Sequence, residues 1–425
     1  MGEARLGKVT EEMVMVAKKE EVDVNILRRR IAEGKVVLPK NVGRDCEVIG
    51  IGEGLTTKIN ANIGTSSEFC NLDYELEKAK TAVKYGADTI MDLSTGGDLD
   101  TIRRRILREI KVPVGTVPIY QAGIEAIQKH GAIVNMTEDE IFGVIEKHAK
   151  DGVDFMTIHA GITKEIVERL VKNPRVTGVV SRGGVFLASW ILHNKKENPL
   201  YKNFDYLLEI AKKYDFCISL GDALRPGCLA DASDWYQIQE LLNVQRLVKK
   251  CWEANVQVMV EGPGHLPLNQ VESHVLLEKS LCEGAPFYVL GPVVTDIGAG
   301  YDHIVGAIGG AVAAMAGADF LCYVTPAEHL GLPTVEDVKE GVIAAKIAAH
   351  TADLVKLGEK RLKIDFEMAK ARAELNWEKQ YMLSVDPEKA KELRERVKPK
   401  AGACTMCGEY CVFKILPLKR NGKCF

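Results

Sequence analysis

Three cysteines lie within eight residues near the end of the chain, in the segment CTMCGEYC. Cys404 and Cys407 are separated by two residues, and Cys411 follows after three more. Three thiolates at such spacing can bind three irons of a [4Fe–4S] cluster and leave the fourth iron open to a small molecule. Alternatively, Cys424, after a gap of twelve residues, would complete a structural zinc site of four thiolates. The spacing alone leaves both interpretations open.

The composition is that of a soluble globular protein, with 46% apolar and 27% charged residues in 425. A formal net charge of −3 argues against nucleic acid or an anionic membrane as the main partner. The N-terminal segment is charged and lacks the apolar run of a secretory signal. We therefore expect a cytoplasmic protein whose eleven cysteines are thiols or metal ligands. The Gly/Ala-rich stretch 304–324 contains Asp319 and is interpreted as a helix on a buried strand, not a membrane span.

Runs rich in β-branched and aromatic residues alternate with segments of helical periodicity, which predicts an α/β fold with a parallel sheet. Eight such runs in about 250 residues is the number expected for a (β/α)8 barrel, with a doubly wound open sheet as the alternative. The predicted strands are residues 87–94, 112–120, 154–161, 178–184, 216–222, 256–264, 287–294 and 319–326.

Four regions follow from this pattern. They are an N-terminal α+β cap (1–75), the barrel (76–345), a helical arm and linker (346–403) and the cysteine tail (404–425). The sequence RVKPKAGA, just before the cysteines, is typical of a linker. The GIGEG of residues 50–54 resembles part of a dinucleotide-binding loop but lacks its strand–helix context, so we predict no nucleotide site there.

Polar or reactive residues follow every predicted strand, at the barrel face where catalytic side chains lie. A lone His or Tyr there is more often structural, but eight such positions together predict a real pocket. Arg182 and the two glycines after it suit a phosphate, and Asp222 with Arg225 suits ribose hydroxyls or a second phosphate. His265 and His329 are candidate metal ligands, with water or substrate completing the shell.

Taken in order, the motifs of this chain resemble the phosphomethylpyrimidine synthase family of radical S-adenosylmethionine enzymes, which has 5-hydroxybenzimidazole synthases as paralogues. The resemblance implies a barrel enzyme that binds 5-aminoimidazole ribotide and S-adenosylmethionine. It also implies a reductant such as flavodoxin or ferredoxin, and a homodimer. It extends over nearly the whole chain, through KINANIGTS (58–66), GTVPIYQA, VSRGG, LRPG, EGPGH, APFY, GYDHI, CYVTPAEHLGLP and CTMCGEYC.

The resemblance also implies roles for individual residues. Cys404, Cys407 and Cys411 match the ligands of the [4Fe–4S] cluster. His265 and His329 match the metal-binding histidines, for which we expect Zn2+ or another divalent metal. Cys322 is interpreted as a buried spectator, with radical relay as the alternative. The residues that match substrate contacts are Asn62, Met91, Tyr120, His159, Ser181, Arg182, Gly183, Asp222, Ala223, Leu224, Arg225, Glu261 and Tyr288.

Both branches of this family use the same substrate, so only departures from the thiamin enzyme's pattern bear on the product. Ala223 stands where a glycine is usual, Gly298-Ala299 replaces Ala-Pro, and Gly123 replaces a larger residue. The third cysteine also comes one residue earlier than in the longer thiamin enzymes. These departures favour 5-hydroxybenzimidazole, a precursor of the cobamide (vitamin B12) lower ligand. The alternatives are the thiamin pyrimidine phosphate and, remotely, a zinc-dependent barrel hydrolase.

Overall fold

The structure is a computed structural model that describes residues 1–397 and 402–416. The chain divides into two compact units, Met1–Ala352 and Asp353–Phe425. Within the described ranges, none of the helices combines the length and the apolar character that crossing a bilayer requires. The stretch 304–324 holds most of the helix Asp302–Ala316 and the strand Phe320–Cys322, as its composition predicts.

Eight parallel strands close into a barrel, which confirms the (β/α)8 prediction. Neighbours in the chain are neighbours in the sheet, and the last strand pairs with the first through Leu321 and Ile59. A separate antiparallel pair, β1 (Val36–Val37) and β2 (Ile51–Gly52), precedes the barrel. The barrel strands are β3 (Lys58–Ile63), β4 (Thr89–Asp92), β5 (Val114–Thr116), β6 (Phe155–Ile158), β7 (Cys217–Leu220), β8 (Val258–Gly262), β9 (Phe287–Leu290) and β10 (Phe320–Cys322).

All but one of the predicted strands contain a barrel strand, and the prediction for 178–184 is wrong. Val179 and Val180 carry the β-branched signal, but Ser181 ends the extended segment by capping a helix through the Gly184 N–H. The strand that completes the barrel is β3, inside the segment predicted as the cap. Lys58 and Asn60 of this strand are fully buried in the folded protein. Because both side chains are polar, the sequence lacks the apolar run that predicts a buried strand.

Helices follow the strands around the barrel. One of them, Glu138–Asp151, begins with a capping box between Thr137 and Glu140 and ends at Gly152, whose positive φ suits only glycine. The helices of the first unit are α1 (Gly2–Arg5), α2 (Glu11–Glu20), α3 (Val24–Ala32), α4 (Leu72–Tyr85), α5 (Leu99–Glu109), α6 (Pro118–His130), α7 (Glu138–Asp151), α8 (Lys164–Lys172), α9 (Arg182–Asn194), α10 (Pro199–Lys202), α11 (Phe204–Tyr214), α12 (Trp235–Glu253), α13 (Leu268–Leu281), α14 (Asp302–Ala316) and α15 (Val335–Leu357), whose last turn belongs to the second unit.

The second unit is built from short helices. They are α16 (Glu359–Ala373), α17 (Trp377–Leu383), α18 (Pro387–Glu395) and α19 (Val412–Ile415). The predicted linker RVKPKAGA does not end as a free chain, because Ala403 is fully buried and the carbonyls of Gly402 and Ala403 accept hydrogen bonds. Cys424, the proposed fourth ligand of a structural zinc site, lies outside the described residues.

Candidate active site

A cavity of about 280 Å³ opens at the carboxyl ends of the barrel strands. The residues from the sequence prediction that line it are Asn62, Met91, Tyr120, His159, Arg182, Asp222, Arg225, Glu261 and Tyr288. Ser181, Gly183, Ala223 and Leu224 were also predicted to contact substrate, but they are buried behind these residues and do not line the cavity. The strand-end pattern therefore predicted this pocket, and contact of Ser181, Gly183, Ala223 and Leu224 with substrate stays a prediction.

Two partly buried carboxyl groups, Asp222 and Glu261, and an arginine form the acidic side of the cavity. An Arg225 guanidinium nitrogen lies 3.2 Å from Asp222 Oδ1, whereas Asp222 Oδ2 is buried without a hydrogen-bond partner among the described residues. Burial raises the pKa of Asp222 to about 7, with Glu261 adding to the rise and Arg225 opposing it. Because Oδ2 is an acceptor with no donor, it is ready for a ligand hydroxyl or amine.

Glu261 differs from Asp222 because the protein already satisfies it. Its Oε1 accepts hydrogen bonds from the Thr157 hydroxyl at 2.6 Å and the Ser219 hydroxyl at 2.9 Å. Burial raises the pKa of Glu261, and these two hydroxyl donors oppose that rise. Thr157 on β6 and Ser219 on β7 therefore fix the carboxyl group of Glu261 where it lines the cavity.

His159 is a neutral histidine with one free nitrogen. Its Nε2 lies 3.1 Å from the Ser181 hydroxyl oxygen, which also accepts the Gly184 N–H. The Ser181 oxygen can also accept an Nε2–H, so the contact fits either neutral tautomer of the ring. Nδ1 is buried without a hydrogen-bond partner among the described residues. Burial, with Arg225 nearby, lowers the pKa of His159 to about 3, so it offers a ligand an uncharged ring nitrogen.

The Ser-Arg-Gly-Gly turn starts α9 and places Arg182 at the cavity. The guanidinium of Arg182 lies 5.0 Å from the centre of the Tyr120 ring, and a helix N-terminus with an arginine favours an anion. The glycines serve packing. A Cβ at Gly183 would lie 2.3 Å from the His159 ring, and one at Gly184 would lie 2.4 Å from the Ala223 carbonyl oxygen.

Glu240, on α12, supports the Asp222–Arg225 loop and was missed in the sequence. Its two carboxyl oxygens accept the backbone N–H groups of Ala223 at 2.9 Å and Leu224 at 2.7 Å. Burial raises its pKa to about 8. The signal that could have revealed it is its position on the buried face of α12, in line with Tyr236 and Val244, where a carboxyl group needs a donor.

Cys322 faces the cavity from the end of β10. The Nδ2 atom of Asn62 lies 3.1 Å from its sulfur, and Asn60 Nδ2 donates at 2.8 Å to the hydroxyl of Tyr288. Burial raises the pKa of the Cys322 thiol to about 12, so the sulfur is protonated at neutral pH. Glu328, which follows the eighth predicted strand but does not match a substrate contact of the family, also lines the cavity, and burial raises its pKa.

His265 and His329 come together outside the cavity lining, with their Nε2 atoms 3.3 Å apart. Asp296 Oδ1 lies 2.8 Å from Nδ1 of His265, and Asp302 Oδ1 lies 2.9 Å from Nδ1 of His329. Carboxylates commonly orient metal-binding histidines in this way. Two nitrogen ligands of a tetrahedral zinc are about 3.3 Å apart, so the pair fits such an ion. The described residues contain no cluster of three or more metal-ligating side chains.

The three cysteines of the CTMCGEYC segment also fit a metal group. The backbone N–H of Cys407, with that of Met406, lowers the pKa of the Cys404 thiol and so favours its thiolate form. The neighbouring Cys404 in turn raises the pKa of Cys407. Cys411 caps α19 and is 3% exposed. Thiolate formation next to a second thiol is what iron or zinc requires.

Comparison with known proteins decides between the chemistries left open by the sequence. The profile of the Radical SAM ThiC family matches residues 1–417. The chain belongs to this family. It is therefore a radical S-adenosylmethionine enzyme, as the motif run predicted, and not a barrel hydrolase.

Relatives of this ThiC family member match almost its whole length. A phosphomethylpyrimidine synthase of Methanocaldococcus jannaschii is 57% identical over 100% of this chain and 99% of its own length. One of Pyrococcus furiosus is 58% identical over 98% of this chain and 97% of its own. Among solved structures, a dihydropteroate synthase of Coxiella burnetii is similar with a TM-score of 0.42 and 12% identity, covering 72% of this chain and 96% of that one. That likeness has no bearing on function.

Proposed function

We propose that this ThiC family member is a phosphomethylpyrimidine synthase. It would convert 5-aminoimidazole ribotide to 4-amino-5-hydroxymethyl-2-methylpyrimidine phosphate for thiamin. Relatives that carry this name share 57% and 58% of their aligned residues with it at nearly full length. The comparisons thus favour the alternative over the 5-hydroxybenzimidazole product that the sequence departures suggested.

One structural observation carries the substrate assignment: a single cavity unites a cation at a helix N-terminus with an unpaired carboxyl oxygen and an unpaired nitrogen of a neutral histidine. Arg182 and the start of α9 would bind the phosphate. Asp222 Oδ2 would accept a ribose hydroxyl, and Arg225 would hold that carboxyl group in place. His159 Nδ1 would form a hydrogen bond with a ring nitrogen or the amine. A ribotide presents these three groups in one molecule.

Two of the departures that suggested another product, Ala223 and Gly123, lie outside the lining of the cavity. Ala223 is fully buried behind the cavity and donates its N–H to Glu240, so its methyl group does not contact a ligand. A Cβ on Gly123 would lie 2.7 Å from the Phe186 ring, which packs near Tyr120. Gly123 therefore makes room for Phe186. These changes are explained by packing and do not support a different product.

The cysteine segment suits a [4Fe–4S] cluster held by Cys404, Cys407 and Cys411. When bound, such a cluster supplies the electron that cleaves S-adenosylmethionine to a 5′-deoxyadenosyl radical. The chain's own part would be to supply the three thiolates and to bind the substrate in the barrel cavity. The reductant, flavodoxin or ferredoxin, stays a prediction, as do the homodimer and the cytoplasmic location.

A divalent metal, proposed as Zn2+, would bind to Nε2 of His265 and His329. The support is that Asp296 and Asp302 fix both rings with their Nε2 atoms directed to one point. Asp296 is itself held by the Leu229 N–H at 3.0 Å. Such an ion, with open positions, would polarise or orient a substrate oxygen.

The test is an anaerobic reaction of the reconstituted protein with aminoimidazole ribotide, S-adenosylmethionine and a strong reductant, with products identified by mass spectrometry. The proposal predicts the pyrimidine phosphate together with 5′-deoxyadenosine. A 5-hydroxybenzimidazole peak in its place would overturn the proposed product. Formation of 5′-deoxyadenosine alone, with no product from the ribotide, would overturn the substrate assignment.

A further inference from the structure

The residues just before the cysteines are held by two side chains from neighbouring helices. Trp377, the first residue of α17, donates its indole N–H to the Gly402 carbonyl at 2.8 Å. Arg394, near the end of α18, donates to the Ala403 carbonyl at 3.1 Å. These are successive carbonyls, and the next residue in the chain is Cys404. We call Trp377 and Arg394 together the clasp.

The two members of the clasp also hold each other. The guanidinium of Arg394 lies 4.3 Å from the centre of the Trp377 ring, within the range of a cation–π contact. Its Nε is buried and has no hydrogen-bond partner among the described residues. The aromatic ring, together with the Ala403 carbonyl, therefore sets the plane of this guanidinium.

Iron binding is favoured when the backbone next to a ligand, here Gly402 and Ala403 before Cys404, is already fixed. A metal site tolerates little deviation in its ligand distances, and a preformed backbone avoids the entropic cost of ordering it on binding. Cys411 is ordered by its position at the start of α19, where its carbonyl accepts the N–H groups of Lys414 and Ile415. Cys404 has no helix of its own, and the clasp fixes the two residues before it.

We propose that Trp377 and Arg394 are positioning residues for the iron–sulfur cluster, holding Gly402 and Ala403 so that Cys404 is placed to bind iron. The inference depends on the proposed function only in that the three cysteines bind the cluster. Neither residue belongs to the CTMCGEYC motif, and each acts through the backbone and not as a ligand. The clasp replaces the linker expected from RVKPKAGA, at least over its last two residues.

The experiment compares four full-length variants after anaerobic reconstitution: Trp377→Phe, Arg394→Ala, Arg394→Lys and, as control, Arg396→Ala. Arg396 lies beside α18 in an exposed ion pair with Glu392 and makes no contact with the clasp carbonyls. The readouts are iron and sulfide per chain, the rate of iron loss to a chelator, the electron paramagnetic resonance spectrum and the reduction potential. None of them requires turnover.

Trp377→Phe keeps the ring under Arg394 but removes one hydrogen bond, so we expect cluster retention to weaken roughly fivefold. Arg394→Ala should weaken it further and alter the spectrum, and Arg394→Lys should restore it only in part, because a lysine lacks the planar fork. Arg396→Ala should match the wild type. Wild-type iron retention and spectra in both Trp377→Phe and Arg394→Ala would overturn the inference.

Two further measurements separate a folding defect from loss of the cluster, and the clasp from the proposed function: circular dichroism of the variants and the product assay of the wild type. Circular dichroism of the iron-free variants detects loss of the helical unit, and Trp377→Phe decides the matter if Arg394→Ala unfolds. If the wild type forms no pyrimidine while the clasp variants still lose iron faster, the proposed function fails and the clasp stands. If the wild type forms pyrimidine and all variants retain iron equally, the clasp inference is the part that fails.

Discussion

The cavity at the barrel mouth and the cysteine segment are built in opposite ways. In the cavity, the protein fixes its polar groups before any ligand binds. Glu261 accepts hydrogen bonds from two hydroxyl groups, and Glu240 accepts hydrogen bonds from two backbone N–H groups. Few atoms are left for a ligand, among them Asp222 Oδ2 and His159 Nδ1.

The cysteine segment has far fewer internal contacts. Met406 is 93% exposed and Tyr410 is 81% exposed, and the thiols of Cys404 and Cys407 have mainly each other and nearby backbone groups as partners. Its geometry is completed when a metal group binds, because metal binding and local folding are coupled. The comparison indicates that the barrel cavity fixes its polar groups in advance, whereas the cysteine segment is held in advance at Gly402 and Ala403 and a metal group would complete the geometry of its thiols.

The largest effect on activity is expected from Cys407→Ala, which removes one of the three proposed cluster ligands from the cysteine segment. With only two thiolates left, the cluster should not be retained, and 5′-deoxyadenosine formation should fall to background. Ribotide binding to the barrel should be unchanged. Liquid chromatography with mass spectrometry measures the first result and calorimetry the second. Substantial 5′-deoxyadenosine from this variant would show that the motif does not hold the cluster.

Asp222→Asn tests the preformed side directly. It removes the charge that pairs with the partly buried Arg225, and it can replace the carboxyl oxygen that has no donor with an amide nitrogen. Breaking a buried, hydrogen-bonded charge pair typically costs about 2–5 kcal/mol, so kcat/KM should fall on the order of a hundredfold or more. The matched control is Asp205→Asn, whose exposed carboxylate pairs with Lys250. Equal activity of the two variants would remove Asp222 from the substrate site.

Glu240→Gln sharpens the account of how the cavity is preformed. The amide can accept only one of the two N–H groups of Ala223 and Leu224 and turns its own donor toward the other. We expect KM for the ribotide to rise roughly tenfold, because the Asp222–Arg225 loop loosens. The kcat should change much less, and cluster content should stay at the wild-type level. Glu253→Gln, at the exposed end of the same helix, is the control. A fall in kcat alone would contradict a positioning role.

Ala223→Gly should have the smallest effect. The methyl group is buried behind the cavity, so kcat/KM should change by less than about twofold and the product should remain the pyrimidine. Mass spectrometry of the products checks this. Appearance of a benzimidazole product with either the wild type or the variant would contradict this prediction and would again favour 5-hydroxybenzimidazole as the product.

Much of the fold could be predicted from the sequence because buried parallel strands leave a local pattern of apolar runs. The exceptions have physical reasons. β3 does not have the sequence of a buried strand because it contains Lys58. The amine of Lys58 forms a buried ion pair with Glu20 at 2.9 Å, a partner that is distant in the sequence. Residues 178–184 carry strand-forming valines, but a helix cap at Ser181 outweighs them.

The candidate site was predictable where a residue touches the cavity from a strand end, as with His159, Glu261 and Tyr288. It was not predictable where a residue acts through another element. Glu240 lies on an outer helix, and Asp296 orients His265 from a separate loop. Such pairs exist only after the chain has folded, so no local pattern marks them.

The most direct test of the difference between the two regions is to measure the binding of aminoimidazole ribotide to iron-free protein by titration calorimetry. We predict that the iron-free wild type and Cys407→Ala bind the ribotide with the same affinity as the reconstituted enzyme, and that Asp222→Asn binds it much more weakly. If no binding is seen until the cluster is loaded, the barrel does not hold a preformed substrate site and the account is contradicted.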